Sequence, residues 1–394
     1  MNTIRKIDCY RFSSNYGESN NSYGQPLGVK TIAIITVTSS NGDSRSHELY
    51  AGIYCPEILP NIISNISNFY IGKEINLDNN LKENKFPFIG NSGIIKSIIG
   101  GIDSCIIQLY FSSRNIMLVD GLKSLIKPSL RRSKSSSKIK YYGSGGSVAY
   151  SAEECLKDLK TTFFRNYDGF KMRCGLQNIE KDFERVAKVS NFIAKDKQNK
   201  DFALMIDFIQ GTLKSKLSPI QLKEYLIRFK NFNINWYEEP LDPDNISLYE
   251  SFTTTQLGIF NLCLGESFTC LNEFAAYKNI INFFQLDVTH LGGFPEAIKV
   301  LNYMEKFYPK IKFSSHLWGS GLSGLLNLAL CRASESIIWF EVPLLEFDIN
   351  KHIFKEKELD FSNISNKEID SYLGDLNLDR NSNYDFIENS GYKI

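Results

Sequence analysis

Short apolar runs of strand length recur every 20 to 35 residues from residue 138 onward. They are KIKYYG (138–143), GFKMRC (169–174), ALMIDF (203–208), INWYEE (234–239), NLCLGE (261–266), FFQLDV (283–288), IKFSSH (311–316) and IIWFEV (337–342). The segments between them carry helix signals. Ser151 with Glu154 three residues later is a capping box, and Ser218 before Pro219 is an N-cap with proline at the first helical position. After Pro295, Ile298, Leu301, Met304 and Phe307 fall on one helical face. Eight strands alternating with helices over about 205 residues fit a (β/α)8-type barrel better than a doubly wound open sheet.

The chain before the repeat is patterned differently. Ile4–Phe12 reads as a strand, and the β-branched run over 28–38 as a second. The turn signal Ser40-Asn41-Gly42-Asp43 then leads into a third short strand ending at Leu49. Residues 56–130 have helical spacing, with Pro56 and Pro60 near a start. The basic, serine-rich stretch RRSKSSSK (131–138) reads as a solvated connector rather than a nuclear-import or RNA-binding segment.

Composition narrows the function classes. With 394 residues, two to three domains, or one large barrel plus an accessory domain, are expected. A 43% hydrophobic content excludes wholesale disorder. The 45 basic and 44 acidic residues leave +1, which argues against nucleic acid as the main partner, because counterion release needs a cationic surface. The eight cysteines (9, 55, 105, 155, 174, 263, 270, 331) form no CxxC pair, and none stands at zinc-finger spacing to a histidine. The N-terminus lacks a signal-peptide core, and the apolar stretch Ile94–Phe111 is interrupted by Lys96, Asp103 and Gln108, so no membrane partner is expected. A cytoplasmic protein with reduced thiols is the simplest expectation. Only His47, His290, His316 and His352 are available for histidine chemistry.

Seven of the eight barrel strands end in a residue capable of chemistry: Lys171 and Arg173, then Asp207, Glu238 with Glu239, Glu266, Asp287, His316 and Glu341. In a parallel barrel all strand C-termini open on one face, so these residues converge. Each alone reads more simply as a capping or loop-facing polar residue; seven in register do not. Asp207, Glu238 and Glu266 from consecutive strands crowd three carboxylates, so one must protonate or a cation must bind. Hard oxygen donors favour Mg²⁺. Asp287 can hold the His316 imidazole in one tautomer, which suits proton transfer, while Lys171 and Arg173 suit an anionic substrate.

The runs GFKMR (169–173), LMID ending at Asp207, WYEEP (236–240), LGES (264–267), QLDVTHLGG (285–293) and SSHLWG (314–319) resemble the enolase superfamily, and within it the mandelate racemase subgroup. The resemblance extends to AGIYCPE (51–57) and FPFIGNSGIIKSIIGGID (86–103). It implies a (β/α)7β modified TIM barrel over 136–344. An α+β capping domain would be built from 1–135 and completed by 345–394. It also implies Mg²⁺ ligands at Asp207, Glu238 and Glu266, a catalytic dyad of Asp287 and His316, Lys171 beside the substrate carboxylate, and Glu341 facing a developing enediolate. The implied reaction is removal of the proton α to a carboxylate, foremost in the dehydration of an acid sugar to a 2-keto-3-deoxy acid. A racemase, epimerase or cycloisomerase through the same intermediate is the alternative, and a non-catalytic metal-binding relative the second. A homo-oligomer is expected by the same resemblance.

Three departures bear on the chemistry. The second lysine of the family pattern is Arg173, which stays protonated and makes a carboxylate clamp rather than a base, against simple racemisation. Ile209 replaces a frequent asparagine two residues after the first metal ligand, and the C-terminal segment lacks the usual glycine-proline-rich ending. Among lesser signals, GSGG (143–146) reads as a strand-to-helix turn rather than a phosphate cradle. His290 is expected to be structural or solvent-facing. Trp318 lines the pocket or packs in the core. The polar loop 13–27 and Tyr50 to Tyr54 are expected to shield the mouth, with Tyr54 and Trp318 touching substrate.

Overall fold

The computed structural model describes residues 2–15, 29–77, 92–127, 138–176, 178–195, 201–214, 217–255, 260–345, 349–355, 357 and 359–378. Most of the polar loop 13–27, the FPFIGN stretch at 86–91, the basic stretch 131–137 and the chain beyond 378 lie outside the described residues.

Strands β1 (Ile4–Asn15), β2 (Val29–Ser39) and β3 (Ser44–Leu49) pair antiparallel in that order. Strand β2 is apolar on both faces. Ala33, Ile35 and Val37 pack towards the helices Leu59–Ser67 and Gly93–Ser112, whereas Ile32 and Ile34 join the main core. Burial on both sides explains why β2 reads as a continuous run rather than an alternation. The expected helical region resolves into Leu59–Ser67, with Pro60 in its first turn, Gly93–Ser112 and Leu118–Leu125. By length and composition Gly93–Ser112 is apolar enough to cross a membrane, which corrects the expectation drawn from its polar interruptions. Its polar residues are accommodated internally: Asp103 accepts from the Tyr70 hydroxyl and Gln108 donates to the Ser46 carbonyl, so most of the helix is buried inside the protein.

All eight expected barrel strands form: β4 (Lys140–Gly145), β5 (Gly169–Arg173), β6 (Ala203–Asp207), β7 (Ile234–Glu238), β8 (Leu262–Leu264), β9 (Phe283–Leu286), β10 (Lys312–Ser315) and β11 (Ile337–Pro343). They pair in parallel and close by β11 against β4. Among the described residues seven right-handed helices connect them, which is the (β/α)7β arrangement: Ala152–Phe164, Ile179–Lys195, Pro219–Ile227, Ile246–Thr255, Leu271–Tyr277, Gly293–Phe307 and Gly321–Ala333, with the left-handed segment Ile209–Lys214 as an addition after β6. The capping boxes at Ser151 and Ser218 are present. On Gly293–Phe307 the expected apolar face holds for Ile298, Leu301 and Met304 but not for Phe307, which is 53% exposed. Phe307 lies in the last turn, past the strands, and packs on the Tyr303 ring instead.

Two features tie the barrel to the rest of the chain. The helix Asn366–Gly374 packs on the barrel helix Gly321–Ala333 and also lies near β3 and Leu118–Leu125, where Asp370 accepts from Leu118 N. On the other side, Gly100 meets the backbone of Gly292 and Gly293, so closely that a Cβ there would stand 1.9 Å from Gly292 C.

Candidate active site

The period of two along each barrel strand places the reactive residues. A plug of Tyr142, Met205, Trp236, Cys263, Phe283 and Trp339 fills the barrel interior. Tyr142, Trp236 and Trp339 meet edge to face, Tyr142 and Trp236 at 5.5 Å between ring centroids, and Phe283 is tilted against Trp236. Two residues further along the same strands, on the same inward parity, come Ser144, Asp207, Glu238, Gln285 and Glu341. The register sets Arg173 beside Asp207 and Asp207 beside Glu238. The intervening residues, such as Phe170, Ile206, Tyr237 and Phe340, point outward into the helix layer. An inverted pattern would bury the charges under the helices.

Lys171 sits at the centre of the charged layer. Its Nζ is 2.5 Å from Glu238 Oε1, 2.9 Å from Glu341 Oε1 and 3.9 Å from Asp207 Oδ2, with all three partners and Lys171 itself buried. Burial disfavours the ammonium, but Glu238, Glu341, Tyr142 and Asp207 outweigh it and raise its pKa well above the usual lysine range. Burial pushes Glu238 up to about 8, against the pull of Lys171. Glu341 also resists ionisation through burial, yet Lys171, His316, Ser144 and Arg173 bring it down to about 2. Its Oε2 accepts from Leu317 N at 3.0 Å. Arg173 is fixed by NH1 to the Gly145 carbonyl (2.8 Å) and NH2 to Ser144 Oγ (2.9 Å), with Nε 3.5 Å from Asp207 Oδ2. The GSGG segment is not the expected turn: Gly143 to Gly145 are the end of β4, paired with β5 and, at Gly143 and Ser144, with β11 as well. Only Gly146 leaves the strand, its N donating to Asp158 and its carbonyl accepting from Arg185.

Across the barrel, His316 Nδ1 lies 2.9 Å from Asp287 Oδ2. Asp287 is held by Thr289 N (3.0 Å), Thr289 Oγ1 (2.7 Å) and Asn327 Nδ2 (3.1 Å). Burial opposes ionisation of Asp287, but the His316 hydrogen bond and charge, with Thr289 and Asn327, keep its pKa below the usual range. An ionised Asp287 only accepts, so Nδ1 carries a hydrogen and Nε2 is left for a proton in transit. That Nε2 faces Glu266 Oε2 at 3.5 Å. Burial works against the imidazolium, but Glu266, the Asp287 hydrogen bond and Glu341 push His316 up to about 9.

Residues outside the barrel complete this half of the site. The Tyr50 ring packs edge-on to His316 (5.9 Å) and His290 (5.0 Å), and its hydroxyl is 3.4 Å from that of Tyr54. Tyr54 is 68% exposed, so Tyr50 is the aromatic that reaches the dyad. His290 is half-buried rather than solvent-facing, with Nε2 bonded to the Ser267 carbonyl at 2.9 Å. Trp318 is half-buried; the Lys30 ammonium bonds its carbonyl and lies 4.8 Å from its ring centroid. The buried carboxylate of Glu48 accepts from Ser320 N (3.0 Å), Ser320 Oγ (2.5 Å) and Ser323 N (3.3 Å), at the start of Gly321–Ala333.

Sequence reasoning set Glu239 among the converging strand-end residues but gave it no role in the site. It is fully buried at φ +41, its Oε2 accepts from Gln210 N at 3.0 Å, and its Oε1 has no partner. Burial, Glu266, Asp207 and Glu238 raise its pKa well above the usual carboxylate range. The doubled acid in WYEEP was the available signal. The segment after Asp207 is also unusual: Ile209, Gln210, Gly211, Thr212, Leu213 and Lys214 all have φ between +49 and +68. Only the glycine adopts this without a penalty of about 1–2 kcal/mol per residue. Ile209 is buried there, and its N–H donates to Asp207 Oδ1 at 2.7 Å.

The donor set suits a hard divalent cation. Asp207, Glu238, Glu239, Glu266, Asp287 and Glu341 face two permanent cations, Lys171 and Arg173, plus one titratable histidine, and Glu239 Oε1 is buried without a partner. Among the described residues no group of three acidic, histidine or cysteine side chains is already gathered as a metal cage, and Lys171 bridges Glu238 and Glu341 instead. Mg²⁺ keeps several waters and needs few carboxylates, so a closed cage is not required.

Residues 152–365 match the family model described as enolase C-terminal domain-like. Among curated proteins, the chain is 22% identical over 260 residues to a D-galactonate dehydratase family member of Marinomonas sp., covering 58% of this chain and 59% of that protein. It is 24% identical over 226 residues to arabinonate dehydratase of Saccharolobus solfataricus, covering 56% of each. The chain thus spans less than three fifths of the length of these curated relatives. Among solved structures, an enolase superfamily member from Polaromonas sp. superimposes with a TM-score of 0.74 at 20% identity, covering 89% of both chains. An enolase from Bradyrhizobium complexed with magnesium and mandelic acid gives 0.71 at 19% (86% and 88%). The 3,6-anhydro-D-galactonate cycloisomerase of Zobellia galactanivorans gives 0.68 at 19% (89% and 90%).

Proposed function

We propose that this chain, which belongs to the enolase superfamily, removes the proton α to the carboxylate of an acid sugar and expels the β-hydroxyl as water, giving a 2-keto-3-deoxy acid. The observation that carries the reading is the Asp287–His316 pair, with Nε2 turned into a ring whose other side is cationic and lacks a second base.

His316 takes the α-proton at Nε2 while Asp287 holds Nδ1–H and balances the imidazolium. The same imidazolium then returns the proton to the departing β-hydroxyl, so hydrogen and hydroxyl leave as water. The remaining enol ketonises by taking a proton at the former β-carbon and releasing its O–H proton, both exchanged with solvent. Lys171 and Arg173 provide the positive side that receives the substrate carboxylate, and Glu341, fixed by Leu317 N, borders the developing enediolate. Asp207, Glu238 and Glu266, with Glu239 behind them, would hold Mg²⁺, which when bound supplies positive charge to the enediolate oxygens and relieves the Glu266 charge that keeps His316 protonated. Arg173 is unsuited to the second base of a racemase: it stays protonated, and both terminal nitrogens are bonded to β4. The dehydratase names of the two curated relatives support the same substrate class.

The test is a library of acid sugars incubated with protein and Mg²⁺, trapping 2-keto products with semicarbazide. Turnover of at least one sugar acid, lost on chelation, is expected. Deuterium entry at Cα from D₂O without net dehydration would replace this reading with an epimerase. A protein inert to the whole library in both assays would remove the catalytic reading.

A further inference from the structure

A second cavity, of about 290 Å³, opens well away from the barrel mouth between β3, the end of the helix Gly93–Ser112 and the helix Asn366–Gly374. It lies roughly 16 Å along that helix from Ser97, the residue that touches the dyad loop. Its floor is apolar, made by the buried side chains of Phe111, Leu118 and Leu373. The adjoining Ile116 and Met117 are 40% and 39% exposed.

Arg45, Gln108, Ser112, Asn115 and Asp370 are the polar residues that line this cavity. Gln108 is 3% exposed; its Nε2 donates to the Ser46 carbonyl, which fixes the amide's orientation because that carbonyl can only accept. Its Oε1 is therefore a buried acceptor, and it has no partner. Burying an unsatisfied acceptor costs about 1–3 kcal/mol, so a donor is expected to meet it. Arg45 bonds only the neutral Ser44 carbonyl and Ser112 Oγ, and no ion pair involves it among the described residues. Asp370, half-buried, accepts from Leu118 N and retains acceptor capacity.

We propose that this cavity binds a free α-amino acid with an apolar side chain. The lining offers one cation and one carboxylate, hence no net charge, plus one orphaned neutral acceptor beside an apolar floor. A zwitterion matches each part: its carboxylate meets Arg45, its ammonium donates to Gln108 Oε1 and Asp370, and its side chain covers Phe111, Leu118 and Leu373. A sugar acid lacks the apolar part and the cation. The inference is independent of the barrel chemistry.

The test is calorimetric titration of the whole chain with L-leucine, L-methionine and L-phenylalanine, which needs no enzyme assay. N-acetyl-L-leucine, without the ammonium, and L-leucinol, without the carboxylate, are the comparators. Saturable binding of at least one amino acid is expected, weakened about 10-fold or more by loss of either charge. Arg45→Ala and Gln108→Leu should weaken it similarly, with folding checked by circular dichroism. If Gln108→Leu does not fold, Arg45→Ala and the two comparators decide. No saturation with any of the three, equal binding of the comparators, or unchanged affinity in a folded variant overturns the proposal.

Discussion

Replacing Gly100 by alanine isolates the contact that docks the long helix on the barrel. In a bare helix the change is favourable by about 1 kcal/mol, because glycine has the larger backbone entropy to lose. Here the added Cβ would stand 1.9 Å from Gly292 C, 2.2 Å from Gly292 O and 2.4 Å from Gly293 N. All three are backbone atoms, so no side chain can rotate away, and ordinary contact near 3.4 Å requires a shift of about 1.5 Å. Overpacking costs about 1–3 kcal/mol, and a backbone-on-backbone clash belongs at the upper end. Two hydrogen bonds crossing the same contact, Ser97 Oγ to Thr289 O (3.0 Å) and Phe294 N to Ser104 Oγ (2.9 Å), are stretched as well. The net expectation is a loss of about 2–4 kcal/mol. Urea unfolding of Gly100→Ala against the parent measures it. Because Thr289 is two residues from Asp287, turnover should fall in kcat in the surviving folded fraction. A variant as stable as the parent, or more stable as helix propensity alone requires, refutes the close-approach argument.

Other perturbations address the chemistry. His316→Asn should lower turnover by about 10²–10⁴-fold; unchanged rates on every substrate found would remove the dyad from the mechanism. Glu238, raised to about 8, and His316, raised to about 9, both bind protons more tightly in the folded state. Their stabilisation is complete below the unfolded values, near 4.5 for Glu238 and 6.5 for His316, and is lost as pH rises through the folded ones. In EDTA the melting temperature should therefore fall from pH 6 to pH 9, with Mg²⁺ restoring stability at the alkaline end; a flat profile unaffected by Mg²⁺ contradicts both assignments. Glu48→Gln leaves the buried Lys30 without its counter-charge, a loss of about 3–5 kcal/mol, whereas the double variant with Lys30→Met should recover much of it. Additive losses in that cycle would show that the two charges do not couple. Arg173→Lys supplies a second titratable amine and should introduce deuterium exchange at Cα of unreacted substrate, detectable by mass spectrometry; its absence would mean that residue 173 does not face the α-carbon.

The barrel was legible because its strands carry two signals at once. WYEE, LMID and FFQLD each place a plug residue, an outward apolar residue and a polar residue at fixed parity, so both the strand and its reactive end follow from period two. Side-chain partners were readable where a single hydrogen bond links the ends of neighbouring strands, as for Asp287 and His316. Contacts made by folding distant segments together were not. Lys30 and Glu48 look like ordinary strand charges until the loop after His316 closes over them, and 288 residues separate Lys30 from Trp318 and 272 separate Glu48 from Ser320. Tyr50 begins a short turn with no catalytic signature. Glu239 was hidden by Glu238, since adjacent strand residues normally face opposite ways; its φ of +41 is what turns it back toward the carboxylates. The turn after Asp207 contradicts the preferences of Ile209, Thr212 and Leu213, so no propensity rule could have found it. Phe307 misled because spacing defines a face without saying where the neighbouring layer ends.

The two halves of the ring are held by different parts of the chain. Asp207, Glu238 and Lys171 are fixed by strands β5 to β7 and by one another, with Ile209 N as the nearest backbone donor. The dyad loops are gripped from outside the barrel. The Val288 carbonyl accepts from His47 Nε2 at 3.0 Å, and the Thr289 carbonyl accepts from both Tyr50 N and Ser97 Oγ at 3.0 Å. The loop after His316 is tied by Lys30 to Trp318 and by Glu48 to Ser320 and Ser323. Burial brings His47 down to about 4 despite its bond to Val288, so this strut stays neutral and does not disturb the charge of Asp287 across physiological pH. The carboxylate side is therefore a property of the barrel, whereas the orientation of the imidazole depends on the docked N-terminal sheet and helix. Damage to that docking should act on proton transfer before it acts on affinity for a divalent cation, a separation that metal titration and kcat measured on the same variant can resolve.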